Sequence, residues 1–288
     1  MLERCQKMKV LVTGVKGQLG YDVMKELAKR GIEGIGADIE EFDITNPAQT
    51  HTFIVNSQPD AVIHCSAYTA VDRAEDQLEL CAKVNGEGPG NIAAVCKELD
   101  IPMLYISTDY VFPGDGEQYY EPDDAAGPAG AYGKTKLAGE EAVKSLLEKY
   151  FIVRISWVFG YNGNNFVKTM LKLSETHDEL RVVNDQIGSP TYTADLAKLL
   201  ADMIVTDKYG VYHATNEGIC SWADFAREIF RQAGKNVTVH DVTTEEYGAK
   251  APRPKNSRMS KEKLTANGFT RLPDWKDALA RYLQELDG

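Results

Sequence analysis

No uncharged apolar run in the 288-residue chain approaches the roughly 18 residues that a membrane-spanning helix needs. The first residues, Met1-Leu-Glu-Arg-Cys-Gln-Lys7, are charged and lack the apolar centre of a signal peptide. Positive charge is also short: 32 Lys and Arg stand against 43 Asp and Glu, a net charge of −11 with a pI near 5.0. That balance argues against a general affinity for nucleic acid or anionic membranes, and leaves room for a local basic pocket around a phosphorylated small molecule. Cysteine is scarce, odd in number and widely spaced (Cys5, Cys65, Cys81, Cys96, Cys220), with no Cys-x-x-Cys pair. Disulfide scaffolds and zinc sites are therefore not expected, and reduced, mostly buried thiols are. The expectation is a cytoplasmic protein with no nucleic-acid, membrane or metal partner. No internal repeat or low-complexity tract is present. A hydrophobic content of 43% and a charged content of 26% are those of an ordinary globular chain, long enough for one large domain or a domain and a half.

What is present begins at once. Lys9-Val-Leu-Val-Thr13 reads as a buried strand, Gly14-Val-Lys-Gly17-Gln-Leu-Gly20 as a turn, and Tyr21 to Arg30 as a helix closed by Gly31. Glycines between a strand and a helix let the backbone approach a pyrophosphate, which then rests on the helix N-terminus. The spacing is G-x-x-G-x-x-G, and its place near the start of the chain gives it weight. Ile32 to Ala37 reads as the second strand, with Asp38 at its end. A carboxylate there accepts hydrogen bonds from an adenosine ribose and repels a 2′-phosphate, so the cofactor is expected to be NADH or NADPH with a lean to NADH. Lys16 inside the turn tempers that lean. Asn46-Pro47 marks a capped helix start, and Ala61-Val-Ile63 a third strand. His64, at that strand's end and with no second metal-type residue near, is expected to be a packed or surface histidine rather than a ligand.

The fourth strand, Pro102 to Ser107, ends in Thr108-Asp109-Tyr110. Ligands of open α/β sheets gather at the carboxyl ends of strands, so a hydroxyl at Thr108 can reach a substrate carbonyl. After a loop rich in Gly, Pro, Asp and Glu comes Tyr132-Gly-Lys-Thr-Lys136. With about 3.6 residues per turn, Tyr132 and Lys136 share one helix face. An ammonium beside the phenol is expected to lower its pKa from the usual value near 10, favouring acid–base work on a carbonyl/alcohol pair. By itself the spacing is common; strand, hydroxyl, loop and Tyr-x-x-x-Lys helix in that order are not.

Tyr150 to Ile155 reads as a fifth strand, followed by Ser156-Trp157-Val-Phe159. Beyond Gly160 the pattern is mixed: a helix to Leu173, a loop at Asp185 to Pro190, a helix from Thr193 to Ile204 and a strand at Val211 to His213. Ser221, with acidic Asp224 at N3, caps a helix to Ala233. Lys250-Ala-Pro-Arg-Pro-Lys-Asn-Ser-Arg258 is basic and proline-broken within an acidic chain, either a solvated linker or a lid over a polyanion. A last helix spans about Asp274 to Leu286. The fold class is α/β: a Rossmann-type doubly wound parallel sheet with a smaller C-terminal substrate-binding region. Residues 1–160 form the dinucleotide-binding domain, 191–215 return to it, and 161–190 and 216–288 are mainly substrate-binding.

These motifs resemble the extended short-chain dehydrogenase/reductases and, within them, the dTDP-4-dehydrorhamnose reductase family, from about Met8 to Leu286. The resemblance is carried by the Gly14–Gly20 turn, Ala67-Tyr-Thr-Ala-Val-Asp-Arg-Ala-Glu75, Ser107 to Phe112, Tyr132 to Glu140, Ser156 to Phe159, Asn164-Asn-Phe166, Asp185 to Pro190 and Arg253 to Ser257. It implies NAD(P)H-dependent reduction of a dTDP-4-keto-6-deoxysugar. Tyr132 would be the general acid, Lys136 the residue on the nicotinamide ribose, and Thr108 a hydrogen-bonding partner of the substrate oxygen. Gly14, Gly17, Gln18, Leu19, Asp38, Asp43, Ile44, Ser66, Ala67 and Tyr68 would contact the cofactor. Asp109, Tyr110, Trp157, Arg253, Asn256 and Ser257 would contact the dTDP-sugar. Asp22 stands where some relatives carry a glutamate of a magnesium-linked dimer, and Asp195 and Glu285 match its other acidic positions; the metal is not carried over, and monomer and homodimer both stay open. Two other readings belong to the same resemblance: another nucleotide-sugar reductase or epimerase, and a non-catalytic cofactor-binding subunit. Tyr110 stands where a dehydratase has glutamate, which counts against dehydration.

Overall fold

The computed structural model describes residues 7–287; Cys5 and the charged start of the chain lie outside the described residues. Five strands form in the first part of the chain: β1 (Lys9–Thr13), β2 (Glu33–Ala37), β3 (Ala61–His64), β4 (Met103–Thr108) and β5 (Tyr150–Ile155). A further strand, Gly210–His213, completes a six-stranded sheet in the order Gly210–His213, β5, β4, β3, β1, β2. Every pairing in it is parallel. The order reverses between β1 and β3, and such a switch point opens a crevice at the carboxyl ends of the strands.

Successive strand residues face opposite sides, so one apolar run feeds two cores. Val10, Val12, Ile63, Leu104 and Val153 pack with Val23 and Leu27 of α1 (Gln18–Lys29) and with Leu196 and Leu200 of the Thr193–Met203 helix. Leu11, Val62, Met103, Tyr105 and Ile152 pack on the other face. Their partners come from α2 (Pro47–Ser57), α5 (Gly88–Glu98) and α6 (Ala131–Leu146), among them Ile54, Ile92 and Val143. The short helices α3 (Val71–Ala74) and α4 (Leu78–Ala82), with a π-helical turn at Lys83–Glu87, lead into α5. Asn46 caps α2 as its sequence suggests, its Oδ1 accepting the amides of Ala48 and Gln49.

A third core lies outside the sheet: Phe159, Val167, Phe225, Ile229, Trp275, Leu279 and Tyr282. Ser221 and Asp224 form the expected reciprocal cap of the Trp222–Gln232 helix. Beside it, Glu179–Val183 and Thr238–Val242 pair in parallel, a two-stranded element that the sequence reading did not foresee. Asp195 is bound by both terminal nitrogens of Arg281, and Glu285 by Lys25 and the Tyr192 hydroxyl. Those carboxylates are engaged by the chain's own donors. Among the described residues no helix is long and apolar enough to cross a membrane. Cys81, Cys96 and Cys220 are buried free thiols, and Cys65 is half-buried.

Candidate active site

The crevice at the switch point is a cleft of about 700 Å³ lined from the carboxyl ends of all five leading strands. At one end the glycine turn closes on itself. Gly14 has φ 71°, and a Cβ there would stand 2.8 Å from the Ser66 backbone nitrogen. A Cβ on Gly20 would stand 2.3 Å from the Gly14 carbonyl oxygen, so neither position accepts a side chain. The N-cap of α1, Gly17, brings no capping side chain, and the first turn holds no acid. A glycine cradle ending in free helix N–H groups fits a dinucleotide pyrophosphate. Gly17, Gln18, Leu19, Asp38, Asp43, Ile44, Ser66 and Ala67 also line the cleft; Tyr68 does not. Its backbone N–H and C=O are held by Asn85, and its hydroxyl donates to Gln77. Asp38 accepts the Lys16 amide, while the Lys16 ammonium pairs with Glu40, an exposed acid close to Asp38 in the chain that the sequence reading passed over.

At the other end β4, α6 and the segment after β5 bring Thr108, Asp109, Tyr110, Tyr132, Lys136 and Trp157 to one wall. Tyr110 packs edge-on against Tyr132, with ring centroids 5.3 Å apart. Asp109 is buried and accepts two hydroxyl protons, from Thr108 at 2.9 Å and from Ser257 at 2.5 Å. Burial pushes its carboxyl up to about 6, against the pull of those hydrogen bonds. Trp157 takes the left-handed backbone, φ 49°, uncommon for a bulky residue and a mark of stored strain. Its ring stacks on Trp222 at 3.9 Å.

The expected effect of Lys136 on Tyr132 is corrected here. Burial holds the Tyr132 phenol well above its ordinary value, opposed by the neighbouring Thr108 hydroxyl, and Lys136 is not among the foremost groups acting on it. The Lys136 ammonium donates to the Ile106 carbonyl at 2.7 Å and sits 4.1 Å over the Tyr105 ring. Burial pushes it down to about 7, with Glu140 the foremost group opposing. A shared helix face brings two side chains within reach; β4 decides where the long one points.

The basic segment 250–258 is a strap across α3. Arg253 donates to Asp72 at 2.8 Å, Lys250 pairs with Asp76, and Lys255 pairs with Asp185. Arg253, Asn256 and Ser257 do not line the cleft itself. The Asn256 amide nitrogen is taken up by the Asp115 and Gln118 carbonyls, and Ser257 reaches the cleft wall only through Asp109. His64 is buried, the packed of the two placements left open, with Nδ1 2.7 Å from the Thr13 hydroxyl, and burial pushes it down to about 3.

A Rossmann-type sheet whose crevice holds a glycine cradle at one end and a Thr, Tyr and Lys group at the other defines a nicotinamide-dependent short-chain dehydrogenase/reductase. The family model described as RmlD substrate binding domain matches residues 8–287, and the chain belongs to that family. It is 43% identical over 277 residues to the spore coat polysaccharide biosynthesis protein SpsK of Bacillus subtilis (strain 168), covering 96% of this chain and 97% of that one. It is 39% identical to the dTDP-4-dehydrorhamnose reductase of Streptomyces griseus, covering 96% and 94%. The crystal structure of dTDP-4-dehydrorhamnose reductase from Bacillus anthracis str. Ames in complex with NADP matches with a TM-score of 0.95 and 44% identity, covering 97% and 99%.

Proposed function

We propose that this chain reduces the C4 ketone of dTDP-4-dehydro-L-rhamnose to dTDP-L-rhamnose. The observation that carries the reading is one cleft holding a dinucleotide cradle and, at its far end, a buried tyrosine, a threonine and a lysine, in a chain that matches reductases of this name over nearly its full length. Residues 161–190 and 216–287 are read as the sugar-nucleotide side, with the sheet and residues 191–215 forming the cofactor side.

Gly14, Gly17 and the start of α1 would hold the pyrophosphate, Asp38 the adenosine ribose and Lys136 the nicotinamide ribose. The reduced nicotinamide supplies hydride when bound. This chain supplies position and a proton. Tyr132 donates its phenolic proton to the ketone oxygen. The raised phenol pKa keeps that proton in place until charge develops on the oxygen. The Lys136 ammonium stabilises the phenolate left behind once it turns from the Ile106 carbonyl. Thr108 steadies the Tyr132 hydroxyl, and Asp109 and Ser257 fix the rotamer of Thr108. Trp157, braced by Trp222, forms the wall against the sugar. Asp38, Glu40 and Glu41 at the ribose end support NADH; the NADP complex of the Bacillus anthracis enzyme supports acceptance of NADPH as well.

The test is loss of reduced-nicotinamide absorbance with a panel of dTDP-4-keto-6-deoxysugars, each with NADH and with NADPH. Turnover dependent on added reduced cofactor, fastest with the rhamnose precursor, is expected. Tight cofactor binding without consumption would favour a non-catalytic subunit, and epimerisation without added cofactor would overturn the reductase reading.

A further inference from the structure

The catalytic helix begins without a cap of its own. The residue before α6 is Gly130, which brings no capping side chain, and the first turn holds no acid. The missing acceptor comes from far along the chain: Glu75 Oε1 accepts the Ala131 N–H at 2.8 Å. The fit is tight, since a Cβ on Gly130 would stand 2.9 Å from that same oxygen. Ala131 is the immediate neighbour of Tyr132. Ala74, next to Glu75, is fully buried in a small cluster with Cys81, Ala131, Tyr68 and Tyr132.

The same short stretch also grips the strap. Asp72 Oδ1 accepts the Ala251 N–H at 3.1 Å and Oδ2 accepts from Arg253 at 2.8 Å, while Asp76 pairs with Lys250. Five consecutive residues, 72–76, thus carry three carboxylates, two directed to the strap and one to the first amide of the helix that bears the tyrosine. We propose that Asp72, Glu75 and Asp76 form a clasp that couples seating of the 250–258 strap to placement of Tyr132, with Glu75 as the positioning residue. The inference rests on the reading of Tyr132 as proton donor.

A carboxylate at a helix N-terminus both satisfies an orphan amide and complements the helix dipole. Losing it lets the first turn fray, and a small displacement of a reacting group lowers turnover steeply. Glu75→Ala should lower kcat about tenfold, with sugar and cofactor KM changed less than about threefold. Glu75→Gln keeps an acceptor oxygen and should restore kcat to within about threefold of the parent. Asp72→Ala and Glu75→Ala should combine non-multiplicatively in kcat, because they act through one stretch of chain.

Wild-type kcat in Glu75→Ala would overturn the proposal, as would a Gln variant no better than Ala, strictly multiplicative effects, or a loss spread evenly over kcat and both KM values. If Glu75→Ala does not fold, Gly130→Ala makes the same test by crowding Oε1, and the same kcat-specific loss is expected. Tyr132→Phe run alongside separates the two claims: if it keeps full rate, the reading of Tyr132 fails whatever Glu75 does.

Discussion

Removing Glu140 should damage the stability of this protein. Glu140 is fully buried one turn beyond Lys136 on α6, and its partner Arg154, on β5, is 2% exposed. Oε1 accepts from Ser107 Oγ at 2.6 Å and Arg154 Nε at 2.9 Å; Oε2 accepts from the Arg154 terminal nitrogen at 2.7 Å. Arg154 also donates to the Pro122 carbonyl and lies over the Phe112 ring. Glu140→Ala leaves a buried guanidinium unpaired, which costs about 3–5 kcal/mol. That is a fifth or more of a typical total of about 5–15 kcal/mol. Replacing both partners, Glu140→Leu with Arg154→Met, should recover much of the loss, because no charge is then stranded. Burial pushes the Glu140 carboxyl up, but Arg154, Ser107 and Lys144 together hold it below its ordinary 4.5. Its stabilising contribution is therefore present at neutral pH and lost as pH falls through that lowered value. Urea denaturation of the single and double variants, at neutral and at acid pH, measures all of this. A single-variant loss below about 1 kcal/mol, or additive single effects, would refute the reasoning.

Other outcomes follow from the same geometry. Burial pushes the Lys136 ammonium down to about 7 against the pull of Glu140, so kcat/KM for the cofactor should fall as pH rises through that value; a profile flat well above it would contradict the charged role of Lys136. Gly188 lies under Trp157, where a Cβ would come 2.9 Å from the indole, so Gly188→Ala should raise the sugar KM about threefold to tenfold, with cofactor KM held. An unchanged sugar KM would remove Trp157 from the substrate wall. Glu40→Gln frees the Lys16 ammonium and should raise the NADPH-to-NADH ratio of kcat/KM about threefold or more, as a surface pair worth about 0–1 kcal/mol allows; no change would take the pair out of cofactor choice.

Much of the parallel sheet and its glycine turn was legible because local chemistry dictates it. Val10, Leu11 and Val12 with Gly14 to Gly20 can hardly form anything but a buried strand turning into a helix, and Asp38 then falls at the next strand end. Tyr132 and Lys136 were legible as a pair from helical spacing. Their electrostatics were not, because the Lys136 ammonium follows the Ile106 carbonyl and the Tyr105 ring, both contributed by β4, and because burial outweighs charge at Tyr132. The strap was recognisable by its basic residues, yet its partners Asp72 and Asp76 lie more than 170 positions away. Glu75 stood in the sequence only as the end of the Ala67 to Glu75 motif, its role unreadable: a helix capped from a distant loop leaves only a missing cap, Gly130, in its own sequence. The Glu179–Val183 and Thr238–Val242 pair was missed because both strands are short and exposed at their starts, with little buried apolar surface to mark them.

The central claim is that Tyr132 delivers the proton to a sugar ketone in this cleft. Its most direct measurement is single-turnover reduction of the dTDP-4-keto-6-deoxysugar by Tyr132→Phe, with cofactor affinity determined separately. A rate lowered by about 10² to 10⁴, with affinity for reduced cofactor near that of the parent, is the expected result. A Phe variant that reduces the ketone at close to the parental rate would contradict it.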